Sequence, residues 1–211
     1  MLTHLISRGY VPGGGLLSPN GVFYLNIPKN ASTYLTNLLK FNGWAHHNIN
    51  VDGTNKISEC IAVLRDPVER WISGFSTYTA SWLLGANYGS DHFHEDYNQL
   101  TERMIFDTIV FDDHTTEQTK FIEQLPKIKT TFFPLNLELV MNIESFLGES
   151  LKQTADINSN NSEDNYDTKS ILNKMKFVIE QNPHLRIKLM DRYKVDYDFI
   201  RTSQFYSEPR I

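Results

Sequence analysis

Val22-Phe23-Tyr24-Leu25-Asn26-Ile27-Pro28-Lys29-Asn30-Ala31-Ser32-Thr33-Tyr34-Leu35 decides how this chain is read. Its first six residues are mostly apolar, β-branched or aromatic, with Asn20-Gly21 before them and Pro28 after, which predicts a short buried strand. Beyond Pro28 the period changes. Tyr34, Leu35, Leu38, Leu39 and Phe41 recur at helical spacing, Ser32 or Thr33 stands where a cap is needed, and Gly43 supplies a stop. A strand that turns directly into a helix aims successive backbone N–H groups and the positive end of the helix at one point. Such a junction suits a phosphate or sulfate group. Lys29 adds a full positive charge, and Ser32 and Thr33 add hydroxyl donors. An ordinary capped turn with a solvated lysine fits the same residues. The G-x-x-x-x-G-K-[ST] spacing of a Walker A loop is absent.

Strand, loop and helix recur further on. Ile61-Ala62-Val63-Leu64 reads as a second buried strand ended by Arg65-Asp66-Pro67, and Pro67 opens a helix with Val68, Trp71, Ile72 and Phe75 at helical spacing. The repeated pattern predicts an α/β fold, a parallel sheet flanked by helices, in a single domain over residues 1–211. Ligands of open α/β sheets bind at the C-terminal edge of the strands. Arg65 leaves that edge with a guanidinium fork suited to phosphate, and Ser73 follows eight residues later, two turns into the helix. Both could face one phosphate. A salt bridge from Arg65 to Asp66 or Glu69 is the alternative, and Glu69 and Arg70 read as helix-surface residues.

The rest of the chain is less regular. Residues 1–20 read as a Gly/Pro-rich leader, and 80–98 as a long loop or lid. Helical spacing returns over Leu100–Phe111 and Glu117–Leu125. Thr130–Phe133 is a third strand, and Ile143–Leu147 a short helix ended by Gly148. Residues 156–168 are nearly all polar and read as an exposed mobile loop. A last helical region runs from Lys169 toward Ile200, interrupted at Pro183.

Composition sets outer bounds. The 211 residues carry 20 Lys and Arg against 25 Asp and Glu, a formal net charge of −5, which argues against a nucleic-acid partner. At 40% hydrophobic the chain can bury one sizeable core. No stretch approaches the ~18 apolar residues of a membrane span, and Met1–Gly15 lacks the apolar centre of a signal peptide. A soluble, cytoplasmic protein is expected. The single cysteine, Cys60, sits in the apolar run Cys60–Leu64 and reads as a small core residue rather than a nucleophile. His46-His47 and His92-x-His94 lack the further ligands of a metal site, so no metal is expected.

Taken together, the lysine-bearing loop and the segment strand–Arg65-Asp66-Pro67-x-x-Arg70-x-x-Ser73–helix resemble the 3′-phosphoadenylyl sulfate (PAPS)-dependent sulfotransferases. The form is closest to the carbohydrate, membrane-associated type, and the likeness covers residues 22–78. It implies a P-loop-like sheet. It implies that Pro28, Lys29, Asn30, Ala31, Ser32 and Thr33 hold the 5′-phosphosulfate end of PAPS and that Arg65 and Ser73 hold its 3′-phosphate. Adenosine 3′,5′-bisphosphate (PAP) would be the product, and a hydroxyl-bearing molecule, with a glycan as first choice, the acceptor. Two looser likenesses lie outside that core. Asp113-His114-Thr115-Thr116-Glu117-Gln118 is similar to a segment before a helix in chondroitin-type enzymes, and Tyr193-x-x-Asp196-Tyr197 to a closing element assigned to packing. The economy of 211 residues fits a compact bacterial or viral relative.

Sulfuryl transfer, like phosphoryl transfer, is mostly positioning and charge stabilisation. Lys29 would neutralise charge on the bridging oxygen, while the loop amides with Ser32 and Thr33 would align the sulfuryl group. A base must accept the acceptor's proton. The family uses His or Glu at a variable position, so His47, then His46, then His114 are candidates, with His92, His94 and Glu95 as competitors. Tyr78 and Trp82 are the first candidates for contact with adenine or a sugar ring. Two other readings compete: a nucleotide or small-molecule kinase, for which Asp66 is the sole candidate magnesium-binding acid, and a nucleotide-binding protein without turnover.

Overall fold

Gly14–Leu17, inside the expected leader, is a strand of the sheet. A Cβ on Gly15 would lie 2.0 Å from the Tyr24 carbonyl oxygen and 2.7 Å from the Phe23 ring, so this strand needs glycine where its neighbour crowds it. Glycines that read as a breaker in sequence are here a condition of close pairing. The structure, a computed structural model, describes residues 13–78, 114–125, 127–153 and 166–203. In chain order its elements are β1 (Gly14–Leu17), β2 (Val22–Leu25), α1 (Ser32–Phe41), β3 (Ala45–Asn48), β4 (Glu59–Leu64), α2 (Pro67–Tyr78), α3 (Gln118–Ile122), β5 (Thr130–Pro134), α4 (Leu139–Leu147), α5 (Tyr166–Gln181), α6 (Pro183–Arg192) and α7 (Lys194–Thr202).

These residues form two compact units. The sheet unit holds 13–65, 118–125, 127–153 and 198–203; the helical unit holds 66–78, 114–117 and 166–197. The five-stranded sheet runs β3-β1-β2-β4-β5. β2, β4 and β5 are parallel, as expected, but β1 is antiparallel to both β2 and β3. The sheet is therefore mixed rather than parallel, within an α/β architecture flanked by helices. The cause is the hairpin at Pro19-Asn20-Gly21. Ser18 donates its N–H to the Val22 carbonyl (2.8 Å) and accepts the Val22 N–H on Oγ (2.9 Å), while Gly21 takes φ +87°. A three-residue loop with a left-handed last residue returns the chain antiparallel, whereas parallel neighbours require a crossover.

Both faces of β4 are buried, which explains its uninterrupted apolar run. Cys60, Ala62 and Leu64 share one core with Phe23, Leu25 and Phe121; Ile61 and Val63 share the other with Leu35, Leu38, Leu39 and Ile143. Burial of each α1 leucine is worth ~1.5–3 kcal/mol, enough to hold a helix too short to persist alone.

In the helical unit, α2 buries Val68, Trp71, Ile72 and Phe75, the positions its spacing predicted, against Ile171, Met175 and Val178 of α5 and Leu185 and Leu189 of α6. Pro183 opens α6, matching the expected interruption. α5 begins at Tyr166, so 166–168 are helical rather than the end of a loop over 156–168. Arg70 is not on the surface. It is 1% exposed and donates from Nη1 to the Thr116 carbonyl. The readings of 80–98 and Leu100–Phe111 lie outside the described residues. Among those residues no helix is long and apolar enough to cross a membrane.

Candidate functional site

The loop from β2 into α1 is unusual at two residues. Lys29 and Ala31 take φ of +68° and +58°, the two non-glycine positive values among the described residues. Left-handed backbone without glycine costs ~1–2 kcal/mol per residue and is concentrated at functional sites. Asn30 lies between them with its N–H on the Ile27 carbonyl (3.3 Å). Alternation of this kind turns neighbouring N–H groups toward one side, forming a concavity suited to an anion.

Ser32 and Thr33 do not cap α1, contrary to the expectation from sequence. The cap position is Ala31, which has no side-chain acceptor to offer, and its carbonyl takes the first helical bond, from the Leu35 N–H (2.9 Å). Ser32 and Thr33 already lie within the helix, where a side chain no longer serves as the cap. The N–H groups of Ser32, Thr33 and Tyr34 therefore have no acceptor within the helix, at its positive end.

Arg65 directly follows β4 and reaches this loop. Its Nη1 donates to the Lys29 carbonyl (3.0 Å), joining the two motifs read from sequence. Behind them lies Gln118, 1% exposed at the start of α3. Its Oε1 accepts from Asn30 Nδ2 (2.6 Å) and from the Arg65 N–H (3.0 Å), and its Nε2 donates to the Arg65 carbonyl (2.8 Å). Asn30 Nδ2 also donates to the Val63 carbonyl (2.7 Å). The sequence offered Gln118 only as the last residue of a family-like segment; its role depends on partners 53 and 88 residues away.

Four other candidates belong to the helical unit. Ser73 is 3% exposed on α2 in the helical unit, where its carbonyl accepts from the Thr77 hydroxyl (3.1 Å). Tyr78 closes the same helix. His114 is half-buried in the helical unit, beside Gly74, where a Cβ would meet the His114 carbonyl oxygen at 2.4 Å. Asp66 caps α2: one oxygen accepts the Glu69 N–H (2.9 Å) and the other the Tyr197 hydroxyl (3.0 Å). Burial, and then the Asp66 carboxylate, push that Tyr197 phenol upward. Trp82, His92, His94 and Glu95 lie outside the described residues.

His47 and His46 sit on β3, the edge strand. His47 pairs with Gly15 in a register that places it level with Leu25 but two strands away, roughly 9–10 Å at ordinary strand spacing. It is buried, edge-on to Phe23 (5.8 Å between rings). Its Nε2 lies 2.8 Å from the Gly53 carbonyl, which can only accept, so Nε2 carries the proton. Nδ1 faces Asp52 at 3.7 Å. Both ring nitrogens thus serve the loop after β3. His46 is exposed, and with His47, Asp52, Lys56 and Ser58 it lines an open groove of about 860 Å³.

Cys60 is fully buried, and burial pushes its thiol up to about 11, with the Thr130 hydroxyl opposing. That is the behaviour of a core residue. Among the described residues no group of three or more His, Cys, Asp or Glu side chains gathers as a metal site.

The arrangement brings together the left-handed loop backbone, the N-terminal end of α1 and the Arg65 guanidinium. No protein-family model matches the chain, and neither curated proteins nor solved structures give a match to it.

Proposed function

We propose that this chain is a PAPS-dependent sulfotransferase with a P-loop-like sheet, transferring a sulfuryl group to a hydroxyl acceptor, with a carbohydrate as the first class to test. One observation carries the reading. The loop Pro28–Thr33, the stretch on which the sequence resemblance rests, adopts two left-handed residues ahead of an uncapped ten-residue helix, with Arg65 bonded to its Lys29 carbonyl. The resemblance and the backbone shape concern the same loop, and both support an anion there.

In the proposed reaction the acceptor oxygen attacks sulfur in line, its bond to sulfur forming as the bond to the bridging oxygen of PAPS breaks. PAP leaves with the bonding pair, and the acceptor's proton passes to a base. Loop amides and the Ser32 and Thr33 hydroxyls align the sulfuryl group, and Lys29 offsets charge on the departing oxygen. The kinase reading is less well supported, because both oxygens of its one candidate metal ligand, Asp66, already accept hydrogen bonds within the helical unit.

Thermal denaturation with PAP and, separately, with ATP and Mg²⁺ tests the proposal. Stabilisation by PAP, together with loss of labelled-sulfate transfer in Lys29→Ala, is expected. Stabilisation by ATP and Mg²⁺ alone would replace the sulfotransferase with a kinase.

A further inference from the structure

The loop that would hold the donor is strained at Lys29 and Ala31, so something else in the structure must hold it in shape. Three hydrogen bonds meet on one buried side chain. Gln118 Oε1 takes the Asn30 side-chain amide and the Arg65 N–H, and Gln118 Nε2 gives a proton to the Arg65 carbonyl. A carboxamide is the one common side-chain group of this size that both donates and accepts here without charge. Pairing with both peptide groups of Arg65 fixes where β4 ends. Pairing with Asn30 fixes the residue between the two left-handed ones.

We propose that Gln118 is a positioning residue for the anion loop: its carboxamide clamps Arg65 to Asn30 and thereby holds Lys29 and Ala31 left-handed, setting anion affinity without touching the anion. That the anion is the phosphosulfate end of PAPS rests on the function proposed above; the clamp itself does not. The consequence is asymmetric. A glutamate in its place keeps the two acceptor contacts but sets a carboxylate oxygen against the Arg65 carbonyl, so near-identical shape gives no rescue.

The experiment uses the full chain with Gln118→Ala and Gln118→Glu, read in two ways. Titration calorimetry with PAP at fixed ionic strength, well below the melting temperature, is expected to show at least tenfold weaker binding in both variants. Amide hydrogen exchange without ligand is expected to accelerate at least tenfold at Asn30, Leu35 and Arg65, whose N–H groups are bonded to Ile27, Ala31 and Gln118, while Tyr24 and Ile61 in the sheet keep wild-type protection. A purely structural glutamine would instead loosen the sheet as a whole. PAP affinity within twofold of wild type, or acceleration spread evenly over sheet and loop, overturns the proposal. If the wild-type chain does not bind PAP, the sulfotransferase reading fails, and the exchange pattern alone decides the role of Gln118. Should Gln118→Ala not fold, Gln118→Glu supplies both measurements.

Discussion

Arg65 Nη1 donates to the carbonyl oxygen of Lys29 across 3.0 Å, although 36 residues separate them in sequence. The same peptide unit donates through the Asn30 N–H to the Ile27 carbonyl, so the Lys29–Asn30 peptide is held at both ends. Arg65 thus shapes the loop as well as bringing a positive charge to it.

Arg65→Ala is expected to weaken PAP binding by ~1–3 kcal/mol, the scale of a hydrogen bond to a charged group. Arg65→Lys keeps the charge but loses the planar fork, and should recover less than half of that loss. Calorimetry at constant salt measures both. Wild-type affinity in Arg65→Ala would remove Arg65 from the site.

Ala31 provides a test of the loop's backbone. At φ +58° and ψ 24°, a glycine is tolerated and a β-branched residue is not. Ala31→Gly should unfold in urea within about 1 kcal/mol of wild type, and Ala31→Val should lose about 2 kcal/mol or more. Equal stability of the two variants would show that the left-handed conformation is not the one occupied in solution.

Much of this frame was legible in the sequence because it is local. The apolar run Val22–Leu25, the 3.6-residue spacing of Val68, Trp71, Ile72 and Phe75, and Pro183 at a helix start each carry their own signal. What escaped depends on partners distant in the chain. Gly15 belongs to a strand because Phe23 and Tyr24 crowd it, and nothing in the run of glycines announces that. β3 carries Ala45, His46, His47 and Asn48 at a sheet edge, with no apolar alternation to reveal it. Ser32 reads as a cap by residue type, but the left-handed Ala31 moves the cap position one residue earlier. Arg70 reads as a surface charge until the Thr116 carbonyl comes to meet it.

His47 separates a structural histidine from a catalytic base. Its Nε2 proton lies on the Gly53 carbonyl and its ring on Phe23, so His47→Ala should lose about 1–2 kcal/mol in chemical denaturation while PAP affinity stays unchanged. A fall in turnover of ~10²-fold or more with wild-type stability would instead make His47 the base, since that is the scale of general-base catalysis.

Cys60 makes stability depend on alkaline pH. Its thiol, ordinarily near 9, is pushed up to about 11 by burial in the core it shares with Phe23 and Leu25. The unfolded chain gives up this proton at lower pH than the folded one does, so ionisation favours unfolding. The contribution is fully present below about pH 9 and is lost as pH rises toward 11, at ~1.4 kcal/mol per pH unit and roughly 2–3 kcal/mol in all. The buried Tyr24 phenol, also pushed upward by desolvation, acts in the same direction at higher pH. Cys60→Ala removes the titrating thiol, so its urea midpoint should start lower at pH 8 but decline less between pH 9 and 11. Parallel declines in the two proteins would assign the alkaline loss to other groups. Full reaction of the native thiol with an aromatic disulfide at pH 8 would show that Cys60 is not enclosed as the core requires.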